Sequence, residues 1–166
     1  MPETFPPWIS EAPKIILWDT QLLVAYIVGS VRSTLLGKEI AKGFSISDFD
    51  FIRSLVTRFK VLTTPFILSE VNSWLGKVAY HREELRNGLA SMLPALREHY
   101  ENSVILSQVE AFSTIGLTDS SIVTAAIGLK ALVITTDWDL RGILIGKGVE
   151  VLHYDELKNF HAHLTF

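Results

Sequence analysis

The chain contains no cysteine. That excludes disulfides, thiolate zinc sites and thiol nucleophiles, and it offers no support for an exported protein. Positive charge is not in excess either: 15 Lys and Arg stand against 18 Asp and Glu, for a net charge of −3 and an isoelectric point near 5.9. A passive nucleic-acid coat would normally be basic. There is no Gly-rich phosphate loop, no GxGxxG and no nucleophile elbow, so nucleotide-binding and serine-hydrolase readings lack support. No apolar run reaches the roughly 18 residues that a bilayer span needs, because Asp19 and Gln21 break the longest candidate, and no membrane role is expected. The opening MPETFPPW has three prolines and no basic stretch, unlike a secretory signal. Residues 1–13 are expected as an arm laid over the domain, and the protein is expected in the cytoplasm.

What is present is a large apolar fraction. Hydrophobic residues make up 48% of 166, charged residues 20%, and the mean hydropathy is +0.30, enough for a single domain over residues 14–166 with a core of its own. Short apolar runs alternate with helical patterns. KIILW, KVLTT, ALVITTD and VEVLHY read as strands of a buried parallel sheet, and SVILS as a further strand candidate. Between them, TQLLVAYIVGS reads as a helix stopped at Gly29, and SDFDFIRSLVTRF as one with Ser47 and Asp48 as cap candidates. PFILSEVNSWLG starts on Pro65 and stops at Gly76. His81 to Tyr100 reads as two helices or one kinked helix, interrupted by Gly88 and Pro94. DSSIVTAAIGLK, WDLRGILIGKG and DELKNFHAHL complete the helices. Strands separated by helices imply an α/β fold with a parallel sheet between two helical layers.

Four carboxylates share one kind of position. Asp19 follows the first strand, Glu70 lies about a turn into the helix after the second, Asp119 opens a helix, and Asp137 ends ALVITT. In an open parallel sheet, ligands gather outside the carboxyl ends of the strands. Taken singly, each aspartate reads first as a helix cap that complements the helix dipole, and Glu70 as a solvated helix residue. If the four converge, two carboxylates about 4 Å apart repel by roughly 4 kcal/mol at an effective dielectric of about 20, so cations or protons must intervene. Hard divalent ions suit oxygen ligands, and such ions serve phosphodiester hydrolysis. Two of them would take the formal charge from −3 to +1.

LWDTQLL, TTPFILSEV, GLTDSSIVTAA and ITTDWDL, in this order, resemble the four acidic motifs of the PIN-domain ribonucleases. The resemblance runs from about Lys14 to Tyr154. It implies a Rossmann-like α/β/α sandwich and a Mg²⁺- or Mn²⁺-dependent endoribonuclease with one or two ions. Asp19, Glu70, Asp119 and Asp137 match the family's metal-binding acids, Asp139 resembles an auxiliary acid, and Thr20 and Thr135 resemble hydroxyl positions beside the site. Gln21 departs from the usual Ser or Asn. Many small members are VapC-like toxins of toxin–antitoxin pairs, and members often form homodimers, so a protein antitoxin and a second copy are implied partners beside RNA.

Lys77, His81 and Arg82 are candidates for RNA contact, with Arg86, Arg53, Arg58 and Lys60 as further basic positions near the second strand; the alternative for each is a solvated face. Trp138, between Asp137 and Asp139, is either an ordinary helix residue or a stacking surface for a base. His161 and His163 read as a surface feature. Two rival functions stay open: a catalytically silent PIN-like module that binds RNA or protein, and an aspartyl-phosphate phosphatase with Asp19 as nucleophile. The second would want another Asp two residues on, where Gln21 stands.

Overall fold

The structure is a computed structural model that describes residues 5–9 and 15–164. Five parallel strands form one sheet: β1 (Ile15–Trp18), β2 (Lys60–Thr63), β3 (Arg97–Glu98), β4 (Leu132–Thr135) and β5 (Val151–His153), in the order β3-β2-β1-β4-β5. β1 is central, with Leu17 in register with Leu62 on one side and Val133 on the other. Its apolar run is continuous because both sheet faces are covered, and Ile16, Leu17 and Trp18 are buried.

Among the described residues, eight helices flank the sheet: α1 (Thr20–Arg32), α2 (Ile46–Arg58), α3 (Pro65–Leu75), α4 (Arg82–Met92), α5 (Ser103–Leu106), α6 (Phe112–Leu129), α7 (Trp138–Gly146) and α8 (Tyr154–Leu164). The chain runs outward from β1 to β3, then returns to β4 on the other side of β1. With right-handed crossovers, that reversal puts helices on opposite faces and opens a crevice between the carboxyl ends of β1 and β4. This is the Rossmann-like α/β/α sandwich expected of the sequence.

Several local expectations change. Helix α1 does not stop at Gly29 but runs on to Arg32. Gly29 is a point of close approach, since a Cβ there would lie 2.2 Å from the Phe49 ring, and Gly88, inside an unbroken α4, meets Val31 in the same way. The region after α4 continues through a 3-10 turn at Leu93–Ala95 into the short edge strand β3, not a second helix. SVILS is not a strand: its first four residues form α5, whose first turn is capped by the Asn102 side chain accepting from the Val104 N–H. The cap of α2 is Ser45, two residues earlier than the nearest candidate; Asp48 is its capping-box partner.

The expected arm falls largely outside the described residues, as does Lys14. Of the arm's described part, Phe5 and Ile9 are buried, with the Phe5 and Phe59 ring centroids 5.1 Å apart. Among the described residues one helix, α6, is long and apolar enough to cross a membrane, with a mean hydropathy of 1.3 over 18 residues. Its Ser120–Val123 turn is buried beside the sheet, and it carries Asp119.

Candidate active site

Asp19 ends β1 and caps α1. Its Oδ1 accepts from the Leu22 N–H at 3.0 Å, which makes it the helix cap. Its Oδ2 turns across the crevice to β4 and accepts from the Thr135 hydroxyl at 2.8 Å, the Thr136 N–H at 2.6 Å and the Thr136 hydroxyl at 3.0 Å. The two roles are therefore split between two oxygens. Burial pushes the Asp19 carboxyl above its ordinary range, while these N–H and hydroxyl donors pull it back.

Asp137 repeats the device one strand over. It caps α7 through Oδ1, which accepts from the N–H groups of Asp139 and Leu140, and its own N–H donates to the Thr135 hydroxyl. Thr135 thus ties the two aspartates together. Glu70, a turn and a half into α3, is held to the first motif by the Thr20 hydroxyl, which donates to Oε2 at 2.5 Å. Beneath it, the hydroxyls of Thr64 and Ser121 lie 2.8 Å apart and join the start of α3 to α6.

Asp119 is no cap. Helix α6 is broken at Gly116, where φ is 75° and ψ is −168°, and Asp119 stands in the first turn after that break. No hydrogen bond among the described residues reaches its carboxylate. Burial first, and then the charges of Asp137, Glu70 and Asp19, raise its pKa from 3.8 to about 6. The four acids that are distant in sequence are thus neighbours electrostatically. No ion pair among the described residues reaches any of them or Asp139.

The donor set, carboxylates with no nitrogen or sulfur, fits a hard divalent cation. The side chains as placed do not yet form a cage: among the described residues, no three Asp, Glu or His groups stand close enough together to hold one ion.

The remaining candidates fall around this centre. Asp139 is exposed on α7 beyond Trp138. Thr20 and Thr135 are buried and both hold acids in place. Gln21 is exposed on the outer side of α1. Lys77, His81 and Arg82 stand past the far end of α3 with local contacts. The Lys77 ammonium lies over the Trp74 ring at 5.6 Å, His81 meets Glu84 at 3.3 Å, and Arg82 lines an open cleft with Tyr80 and Asn87. Arg53 pairs with Asp50, and the His161 ring stacks on Phe51. Thr136, which also holds Asp19, is not singled out by the sequence; the doubled threonine before Asp137 is its only signal.

The Gly116 backbone lies in a region essentially closed to side-chain-bearing residues. Gly116→Ala meets no atom within 4 Å, so its cost is conformational. We expect a loss of about 1–3 kcal/mol in denaturant unfolding. An unchanged midpoint would show that the break does not matter.

A parallel sheet with carboxylates gathered at its topological switch point defines the class: an α/β protein with an acidic crevice. No protein-family model matches the chain, and no curated protein matches it. Among solved structures it is similar to a chain in the crystal structure of VapBC2 from Rickettsia felis bound to a DNA fragment from their promoter. The TM-score is 0.57 and the identity 15%, over 84% of this chain and 98% of that one. At that identity the likeness concerns the fold.

Proposed function

We propose that the chain is a divalent-metal-dependent endoribonuclease of the VapC-like kind. One observation carries the reading: the charges of Asp137, Glu70 and Asp19 all bear on Asp119, and no basic side chain among the described residues answers them. Asp19, Glu70, Asp119 and Asp137 would hold one or two Mg²⁺ or Mn²⁺ ions, with Asp139 at the rim. When bound, the cation supplies the positive charge that offsets these carboxylates and polarises a phosphodiester and its attacking water.

The chain's own residues orient that chemistry. Thr135, Thr136 and the Leu22 N–H fix Asp19, and the Asp139 and Leu140 N–H groups hold Asp137 Oδ1. Thr20 restrains Glu70. Asp119 accepts no hydrogen bond among the described residues, which would leave its carboxylate available to the cation. The fold likeness to a chain of the VapBC2 complex supports a protein antitoxin as partner; a homodimer and action on cytoplasmic RNA as a toxin complete the proposal.

The test is cleavage of single-stranded and structured RNA by the purified protein in Mg²⁺, Mn²⁺ or EDTA. Turnover is expected with either metal, none in EDTA, and none in a folded Asp19→Asn variant. Equal cleavage by wild type and variant, after a control for contaminating nuclease, would sink the reading. RNA affinity without turnover would favour a binding module, and phosphate release from small phosphoesters an aspartyl-phosphate enzyme.

A further inference from the structure

Trp138 stands between the capping acid Asp137 and Asp139, yet its side chain does not fold into the core: the residue is 53% exposed. It is nonetheless held in place. One face lies flat on the His153 ring, centroids 3.7 Å apart and planes within 5°. His153 is buried at the end of β5, where its Nδ1 accepts from the Asp155 N–H. The Arg141 guanidinium lies over the indole ring, 5.4 Å from its centre, and is itself clamped by Glu156 through bonds of 3.0 and 2.7 Å. Glu156 also accepts from the His153 N–H at 3.0 Å, so indole, imidazole, guanidinium and carboxylate form one framework. Even with His153 stacked on it and Arg141 over it, the residue keeps about half of its surface open to solvent.

A rigid, open aromatic plane beside an acidic crevice suits one kind of ligand group. Every nucleobase has a π-face, and stacking on a fixed ring is sequence-tolerant. A paired base is already stacked within its helix and is not available to such a surface. Because the His153 stack and the Arg141–Glu156 clamp immobilise the ring in advance, little ordering cost falls on binding. Arg141 is neutralised by Glu156, so the ring offers stacking more than charge.

We propose that Trp138, backed by His153, is a stacking platform that seats an unpaired nucleobase beside the acidic crevice. The proposal rests on the ribonuclease reading for its substrate. Trp138 acts as a specificity and positioning residue. It takes no part in the chemistry.

The test has two arms. Fluorescence anisotropy in EDTA measures binding of labelled single-stranded and duplex oligoribonucleotides to wild type, Trp138→Ala and Trp138→Phe. Steady-state cleavage in Mn²⁺ uses the same strands with an abasic site walked through them. Stacking on one ring corresponds to an affinity change of about tenfold to hundredfold. Trp138→Ala is expected to weaken single-strand binding by that factor and raise KM more than it lowers kcat, while Trp138→Phe keeps most of the affinity. One abasic position should reproduce the loss in wild type and add nothing to it in Trp138→Ala. If Trp138→Ala were too unstable to use, the abasic series on wild type would still decide. RNA cleavage that ignores both the Ala variant and the abasic site overturns the platform and leaves the nuclease reading standing. That same result is expected if the ring instead receives a side chain of a partner protein. Base-dependent binding with no turnover in any metal overturns the nuclease reading and keeps the platform, and no binding to any oligonucleotide overturns both.

Discussion

Exchanging Asp119 for Asn is expected to abolish RNA cleavage and, in EDTA, to make the fold more stable. The stability half follows from linkage. The Asp119 pKa rises from 3.8 to about 6 in the folded chain, so the folded state holds the proton more tightly than the unfolded state does. Stability therefore falls as pH rises from about 4 to about 6, and the full cost is present above that. A shift of this size corresponds to at most about 3 kcal/mol. Asp119 is partly exposed, and screening by solvent reduces this to about 1–2 kcal/mol. Asn removes the charge, and no hydrogen bond to the carboxylate is lost with it. The variant should unfold at higher denaturant than wild type at pH 7.5 in EDTA and match it at pH 4. Mg²⁺ or Mn²⁺ should raise the wild-type midpoint and leave the variant nearly unmoved. Turnover should drop by at least about a thousandfold, a barrier change of about 4 kcal/mol. A variant that is less stable at pH 7.5, or that still cuts, would remove Asp119 from the proposed site.

The four acids were legible because each stands at a position that β/α alternation makes special. Asp19 and Asp137 follow runs too apolar for anything but a buried parallel strand, and Glu70 and Asp119 sit in the first turns of helices. Once the strand order reverses beside β1, such positions have one place to meet. What holds them was less visible. Thr136 reaches Asp19 across 117 residues, and nothing local distinguishes it from Thr135. The stack of Trp138 on His153 joins two elements whose register only the folded sheet sets.

The local misreadings have physical causes as well. Gly29 and Gly88 looked like breaks because glycine is costly within helices, but each is there to let a neighbouring side chain in. SVILS has the β-branched composition of a strand, and the Asn102 cap outweighs it. Strand β3 could not be read at all: Arg97 and Glu98 are exposed on a sheet edge, where no apolar pattern is required.

Asp48→Ala is expected to give the largest stability loss of any charged-residue change away from the crevice, about 3 kcal/mol. Asp48 is buried and does two things at once. Oδ2 accepts from the Ser45 N–H at 2.7 Å and the Ser45 hydroxyl at 2.6 Å, closing the capping box of α2. Oδ1 accepts from the buried Tyr154 hydroxyl at 3.0 Å and pairs with Lys158 at 2.9 Å, fastening α8 to α2. Losing the cap costs about 1 kcal/mol. Leaving the Tyr154 hydroxyl buried and unpaired costs about 1–3 kcal/mol more. Lys158 contributes little to the loss, because its half-exposed side chain returns to water. For a chain of this length the midpoint should fall by about 6–12 °C.

The sign with pH is opposite to that of Asp119. Burial pushes the Asp48 carboxyl up, but the Ser45 hydroxyl, Lys158, the Ser45 N–H and Tyr154 together outweigh it and hold the pKa below 3.8. Its contribution is therefore complete above about pH 4 and is lost as pH falls through the depressed folded-state value. Wild type should lose its advantage over Asp48→Ala only in that acid window, as followed by denaturant unfolding between pH 2.5 and 7. A difference below 0.5 kcal/mol at pH 7, or one that grows toward acid, would refute the tether. The consequence for function runs through α8 rather than through the four acids. Tyr154 is followed two residues later by Glu156, which clamps Arg141 and the His153 backbone. A loosened α8 should therefore weaken single-strand binding at Trp138 while the Asp119 response to Mg²⁺ survives, which separates the platform from the crevice in one variant.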